Sequence, residues 1–379
     1  MTPEKLTIAI QTPPVRIAIV GLGQRGLQHL SLLWKLQSEG LVQITALVDT
    51  HQKNLTAQKI CQYVDNFSLD DINVSNDFLS ILELVSTGNR VDTVYFALPL
   101  GVHQGEIVAA ATSGLHIFTE KPMSLSLDQA IEMEKAIRES GVISTVGFQQ
   151  RYDPRYQAAQ IFLQNKKLVM MTIIHNSNLE SHSVKHTPTE NLGGPSNRVW
   201  TSNFEWSGST VVEAGIHQVD LMRYWGGDID WVSANYVERD PVDILNGGDN
   251  PYAYQVIFGF KSGAVGNLLM SRLRQVSYSD SYNSILWTNG HMKFEGRDAV
   301  VYYDDLQSPR HILPAKMGVS PDELINRAFI YAIQKNDQKI LKSSFSDSMK
   351  SLATVLGANQ SHLQGGKRLY LDDLVNVRS

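Results

Sequence analysis

The chain has 379 residues, of which 42% are hydrophobic and 19% charged, with a formal net charge of −5. That composition is ordinary for a globular protein. The slight negative charge gives no electrostatic basis for nucleic acid or an acidic lipid surface as partner. No apolar run approaches the ~18 residues of a membrane span.

The start, Met1 to Ile10, has too short an apolar stretch for a secretory signal. One cysteine, Cys61, has no partner for an internal disulfide. A reducing, cytoplasmic location is therefore expected, with Cys61 as inert packing in a helical stretch. The length suggests two domains of ~150 residues or more each.

Residues 1–14 are expected to form a flexible extension closed by Pro13-Pro14. From Val15 to about Val146, apolar runs alternate with helical stretches. Strands are expected over 15–20, 43–48, 92–98, 115–119 and 142–146. Helices are expected near 25–38, 51–62, 76–86, 103–113 and 126–139. This alternation predicts an α/β fold, with an N-terminal Rossmann domain over 15–148 whose doubly wound parallel sheet is covered on both faces. Ligands of such sheets bind outside the carboxyl ends of the strands. Gly21, Asp49, Pro99 and Lys121 all fall just past strand ends, on that one edge.

Between the first strand and first helix lies Gly21-Leu22-Gly23-Gln24-Arg25-Gly26. In that position Gly21 allows a tight turn, Gly23 lets backbone approach a pyrophosphate, and Gly26 lets helix and strand pack closely. The helix N-terminus then offers free N–H groups to the phosphates. Asp49 ends the second strand. Its carboxylate can accept from the adenosine ribose hydroxyls and would repel a 2′-phosphate, which favours NAD over NADP. Asp49 can also cap the following helix. Arg25 and Lys53 lie close in sequence, so NADP stays as the second choice.

After Val146 the pattern changes. Tyr254–Phe260 and Ala264–Arg272 are apolar runs joined by Lys261-Ser262-Gly263, and Ser284–Thr288 and Met292–Glu295 flank Asn289-Gly290. Both read as hairpins. They predict a second α/β domain over 149–379 with a large, mostly antiparallel open sheet. Residues 186–209 read as a long polar loop of the kind that is often functional.

Two clusters carry chemistry. The strand before Glu120-Lys121-Pro122 delivers Lys121 to the carboxyl edge of the first sheet, where an ammonium can donate to a substrate oxygen. Glu213, His217 and Asp220 fall at i, i+4 and i+7 of one helix face. There the carboxylate can orient the imidazole as a proton acceptor. His217 has no second histidine at metal-ligand spacing, so no metal is expected. Asp220 reads as structural.

These motifs together resemble the glucose-fructose oxidoreductase / inositol dehydrogenase / rhizopine-catabolism (Gfo/Idh/MocA) family over about residues 15–375. The resemblance rests on the glycine loop, on Ala97-Leu98-Pro99 followed by His103, and on Thr119-Glu120-Lys121-Pro122. It continues through Gly147 to Pro154, the Glu213–Asp220 cluster, Gly357 and the closing Gly365-Gly366-Lys367-Arg368. It implies Lys121 as a catalytic residue, His217 as its acid/base partner, and Glu213 where many members have aspartate. It implies cofactor contacts from Gly21, Gly23, Gln24, Arg25, Gly26, Asp49, Leu98, Pro99, His103, Glu120 and Lys121. Relatives with the motif often have a cis Lys-Pro bond, so one is expected at Lys121-Pro122. The second sheet often forms an oligomer interface, which implies a homodimer or homotetramer.

The chain departs from the family's usual pattern at two further places. The lysine many members carry upstream of the histidine cluster is absent from Asn203–Ser209, and Leu100 follows Pro99 where asparagine is frequent.

The expected activity is NAD-dependent hydride transfer involving a secondary hydroxyl of a sugar, sugar derivative or cyclic polyol. Gln149, Arg151, Tyr152 and His186 are the expected substrate contacts, and either Lys121 or His217 is the primary base. Two rivals are a same-fold enzyme acting on an enone, imine or glycosidic bond, and a non-catalytic NAD-binding regulator. The presence of both Lys121 and His217 argues against the regulator.

Overall fold

The computed structural model describes residues 13–88, 91–178, 199–244, 248–273, 280–295, 298–302, 310–312 and 318–376. Apart from Pro13 and Pro14, the N-terminal extension lies outside them. Its first strand, β1 (Val15–Val20), is buried at every position but Arg16. With β2 (Val42–Val48), β3 (Asn73–Ser75), β4 (Thr93–Phe96), β5 (His116–Thr119) and β6 (Ser144–Val146) it forms a parallel sheet in the order β3-β2-β1-β4-β5-β6. That order reverses direction between β1 and β4, which opens the ligand crevice of a dinucleotide-binding fold above those two strands.

The connecting helices are α1 (Gln24–Ser38), α2 (Ala57–Ile60), α3 (Leu79–Ser86), α4 (Glu106–Thr112) and α5 (Leu127–Ser140). Leu27, Leu30, Leu33 and Leu36 recur every third residue on α1 and are all buried, which fixes its inner face. The Ser126 hydroxyl caps α5, and Gly141 ends it with a φ of 65°.

The stretch expected as one helix over 51–62 is broken. A 3₁₀ turn over Gln52–Leu55 ends at Thr56, whose extended backbone and hydroxyl make it the N-cap of α2 instead. Cys61 follows α2 and is exposed rather than packed. The edge strand β3 was not expected: it has three residues, two of them exposed, too few for a periodic signal.

The second half contains α6 (Pro154–Leu163), β7 (Leu168–Asn178), α7 (Phe204–Ser207), α8 (Ile216–Gly226), β8 (Ile229–Val237), β9 (Ala253–Phe260), β10 (Val265–Leu273), β11 (Asp280–Trp287), β12 (Gly290–Glu295), β13 (Asp298–Tyr302) and β14 (Arg310–Ile312). It closes with α9 (Pro321–Lys335), α10 (Phe345–Leu363), β15 (Leu369–Tyr370) and α11 (Leu371–Asn376). The nine strands run β14-β13-β12-β11-β7-β10-β9-β8-β15. Both expected hairpins form, β9 with β10 and β11 with β12. One pairing, β7 with β10, is parallel. Gly266, Leu268 and Met270 alternate inward from β10, towards the side covered by α8 and α10.

Helix α9 packs across the expected linear division at 148/149. It returns to the first sheet and buries Ile325, Phe329 and Ile330 in the same apolar cluster as Val15, Ile17, Leu27 and Leu30. The Phe329 ring meets Tyr95 and Phe118 edge-on at 5.7 and 5.6 Å. Pairing of distant segments through an amphipathic face leaves no mark in a local pattern. Among the described residues no helix is long and apolar enough to cross a membrane.

Candidate active site

Two backbone contacts dictate the glycine loop. Gly21 has φ 89°, and a Cβ there would lie 2.5 Å from the Ala97 carbonyl oxygen. A Cβ at Gly26 would lie 1.8 Å from the Gly21 carbonyl oxygen. The loop therefore lies tight between β1 and the Ala97-Leu98-Pro99 turn after β4, with the Leu98 side chain packed against it. No side chain caps α1 at Gly23, and its first turn over Gln24, Arg25 and Gly26 holds no acidic residue. The first N–H groups of α1 thus remain for an anion. This uncapped, glycine-lined cradle fits the pyrophosphate of a dinucleotide.

Asp49, just past β2, is tied to the same loop. Its Oδ2 accepts from the Leu22 N–H at 2.7 Å and from Asn54 Nδ2 at 3.1 Å, and Oδ1 accepts from the His51 N–H at 2.8 Å. A carboxylate oxygen has about two acceptor directions, so Oδ1 keeps one for a ribose hydroxyl. His103 is buried and turned to its own helix. Its Nδ1 meets the Glu106 carboxylate, and its carbonyl accepts from Gln129 Nε2 at 3.1 Å.

Lys121 leaves the end of β5 through a cis peptide bond to Pro122. Its Nζ donates to the Glu213 carbonyl at 2.6 Å and to the Glu213 carboxylate at 3.2 Å. Here the structure differs from the expected i, i+4, i+7 face. Glu213 lies in a π-helical turn over Val211–Gly215 that leads into α8. Such turns alter the register inside helices and are frequent at functional sites. Asp220 points elsewhere, to a buried salt bridge with Arg151.

His217, in the first turn of α8, packs edge-on against Phe148 at 6.1 Å, and its buried Nδ1 has no partner. Burial, followed by the Lys121 charge, pushes its pKa down to about 3, against the weaker pull of Glu213 and Glu120. The imidazole is therefore neutral at pH 7 and holds a free acceptor. The Gln149 carboxamide oxygen, next to Phe148, is likewise buried and unpaired.

Burial also lowers the pKa of His29. Both imidazoles stay neutral in the fold and protonate when it opens, so their stabilising effect is present above about pH 6.5 and is lost as pH falls below it, for His217 towards about 3. Urea unfolding is expected to show a lower midpoint at about pH 5 than at about pH 7.5. The His217→Gln variant should lose less over that interval, and an equal loss would contradict neutral burial.

Three expected contacts are placed differently, and a fourth cannot be placed. Arg151 turns its guanidinium into the protein, with Nε and a second nitrogen each 2.7 Å from the Asp220 carboxylate and a third 2.7 Å from Asp347. Tyr152 is also buried, its hydroxyl accepting from the Lys342 N–H at 3.0 Å. Both lie in the 3₁₀ turn Gln149–Tyr152, and of the three expected contacts in it Gln149 alone keeps an unpaired polar atom. Arg25 reaches the Glu120 and Asp322 carboxylates, each at 2.7 Å. His186 lies outside the described residues.

The sequence reading missed Asp322, on the returning α9, and His29. The signal for His29 was a histidine on the leucine stripe of α1, one turn after Arg25. Among the described residues no three of His, Cys, Asp or Glu group as a metal would require.

Comparison with known proteins agrees with this architecture. Residues 15–148 match the model of an oxidoreductase family with an NAD-binding Rossmann fold, and residues 178–293 match a GFO/IDH/MocA C-terminal domain. The scyllo-inositol 2-dehydrogenase (NAD(+)) of Bacillus subtilis is 26% identical over 260 residues, 68% of this chain and 67% of that protein. The myo-inositol 2-dehydrogenase of Thermotoga maritima is 24% identical over 298 residues, 78% of this chain and 80% of that protein. Among solved structures, a levoglucosan dehydrogenase in complex with NADH superposes with a TM-score of 0.76 at 18% identity, covering 94% of this chain and 99% of that one. With the glycine cradle, the Lys121–Glu213 contact and both family models in one chain, this protein belongs to the Gfo/Idh/MocA family of NAD-binding oxidoreductases.

Proposed function

We propose that the protein moves a hydride between a secondary hydroxyl of a sugar, sugar derivative or cyclic polyol and the nicotinamide of NAD. The observation that carries this is the meeting of Lys121, Glu213 and His217 at the carboxyl edge of the parallel sheet, which also holds the glycine cradle. Bound NAD would supply the hydride acceptor. His217, neutral and with an unpaired nitrogen, takes the hydroxyl proton. Lys121 holds the developing oxyanion with its ammonium while Glu213 fixes the direction of that ammonium. The inositol dehydrogenases among the relatives support a polyhydroxylated ring as substrate.

A screen of inositols, aldoses and anhydrosugars for NADH absorbance tests the reading. Steady turnover with one of them is expected, and none with any would overturn it.

Asp49 favours NAD over NADP, because a 2′-phosphate would meet its carboxylate. Calorimetry is expected to give tighter binding of NAD, and Asp49→Ala to narrow the gap by removing that repulsion. Equal or tighter NADP binding would refute the role.

The outer face of the nine-stranded sheet carries two apolar rows, Met170 with Val265 and Ile174 with Leu269 and Tyr282, with the polar row Thr172, Asn267 and Ser284 between them. The exposed apolar side chains of these rows, Met170, Val265 and Tyr282 among them, support a homodimer or homotetramer through this face. Light scattering should give a multiple of 42.3 kDa, and a monomer at micromolar concentration would exclude the assembly.

A further inference from the structure

The reaction above makes no use of two side chains on α1, the half-buried Arg25 and the buried His29. Arg25, in its first turn, brings Nε to 2.7 Å of Glu120 Oε1 and another guanidinium nitrogen to 2.7 Å of Asp322 on α9. One turn later His29, 1% exposed, brings Nε2 to 2.7 Å of the same Glu120 oxygen. Asn326 of α9 stands 3.5 Å from the other ring nitrogen. The second Glu120 oxygen is 3.4 Å from the Lys121 N–H. The carboxylate sits so close to β6 that a Cβ at Gly147 would lie 2.8 Å from both of its oxygens.

Stability alone is a poor reason for such a cluster. Apolar residues of similar volume in place of a buried ion pair often fold as well or better. Two protein donors already fill Oε1, so a cofactor could meet only the second oxygen and would not account for the bracket.

We propose that Glu120 is a positioning residue, the hub of a buried bracket with Arg25 and His29 that locks the Glu120-Lys121 turn onto the first two turns of α1. A dinucleotide seated in the glycine loop and the aim of the Lys121 amine are then coupled. Arg25 belongs to both ends of this link: its N–H is among the free donors of the helix N-terminus, and its side chain holds Glu120. The inference rests on the reading of Lys121 and of the loop given above. It replaces the expected contact of Glu120 with cofactor.

The two charges of the bracket act on Lys121 with opposite sign. Arg25→Gln leaves an uncompensated carboxylate beside the lysine, which holds its proton more firmly. Glu120→Gln removes the carboxylate next to the lysine and leaves the Arg25 guanidinium with Asp322 alone, which has the reverse effect. Competitive acetylation of the apoprotein, read at the Lys121 peptide by mass spectrometry, reports this without substrate or turnover. Arg25→Gln is expected to slow labelling and Glu120→Gln to speed it, each about threefold or more, with the double variant within about twofold of wild type. Calorimetry on Glu120→Gln should show NAD affinity within about threefold of wild type.

Asp322→Asn removes a half-buried carboxylate at the start of α9 without unpairing Glu120, and should speed labelling if the other variants do not fold. Shifts of the same sign in both single variants would mean a loosened fold and no bracket. A Glu120→Gln protein with unchanged labelling and NAD binding weakened about tenfold would make Glu120 a cofactor ligand. If wild type fails to bind NAD, the cofactor reading falls, while the labelling pattern still decides the bracket.

Discussion

Lys121→Met and His217→Gln are each expected to lower turnover by about 10²-fold or more while NAD affinity changes little. The basis is the division of labour at the sheet edge. Lys121 is held by the carbonyl and the carboxylate of one residue, Glu213, so its ammonium has a fixed direction. Methionine keeps the length and loses the charge. His217 keeps an unpaired buried nitrogen, and glutamine has no comparable basic atom. Neither residue touches the glycine cradle, so binding and turnover should separate. Steady-state kinetics with the substrate found in the screen, beside calorimetry with NAD, makes the measurement. Near-wild-type turnover in either variant would remove that residue from the acid/base step. A loss in NAD affinity as large as the loss in turnover would mean that the residue holds the cofactor rather than the reacting oxygen.

The second large effect is on stability. Arg151→Met is expected to destabilise the fold by about 3–5 kcal/mol, because it strands buried charge. Asp220 is 1% exposed and takes two 2.7 Å bonds from Arg151; without them it keeps the Ser351 hydroxyl at 2.8 Å. Arg151 also bonds the Lys342 carbonyl and the Asp347 carboxylate, so one side chain ties the turn after β6 to α8 and to the start of α10. Pairing Arg151→Met with Asp220→Leu removes both charges and should recover most of the loss. Urea unfolding measures the cycle. The KM for substrate should not move in any variant that remains folded. Unchanged stability with a raised KM would restore Arg151 as a substrate contact.

The first half of the chain was legible because its signals are local. A buried strand needs a predominantly apolar run, a covering helix needs a leucine every third or fourth residue, and a close turn needs glycine. Val15–Val20, Leu27 to Leu36 and Gly21 to Gly26 meet these conditions within 22 residues. The hairpin turns at Gly263 and Asn289-Gly290 were legible for the same reason. Lys121 and His217 stood out as reactive side chains next to recognisable element ends.

Tertiary structure alone decided what depends on partners far apart in sequence. Nothing near Arg151 announces Asp220 and Asp347, 69 and 196 residues away, so a buried salt-bridge arginine and a substrate-binding one look alike in sequence. The side chain of Arg25 gives no sign in sequence of the two carboxylates, Glu120 after β5 and Asp322 on α9, that hold it. The π turn that carries Glu213 shifts the helix register by means no spacing rule anticipates. The sequence by itself thus determined the parallel sheet and the glycine turn and singled out Lys121 and His217 as candidates, since each follows from steric and periodic demands within a few residues. Which charged side chains face the cleft and which brace it was settled only by the folded chain, because that choice is made by the energy of desolvating a charge against whatever partner the fold brings alongside.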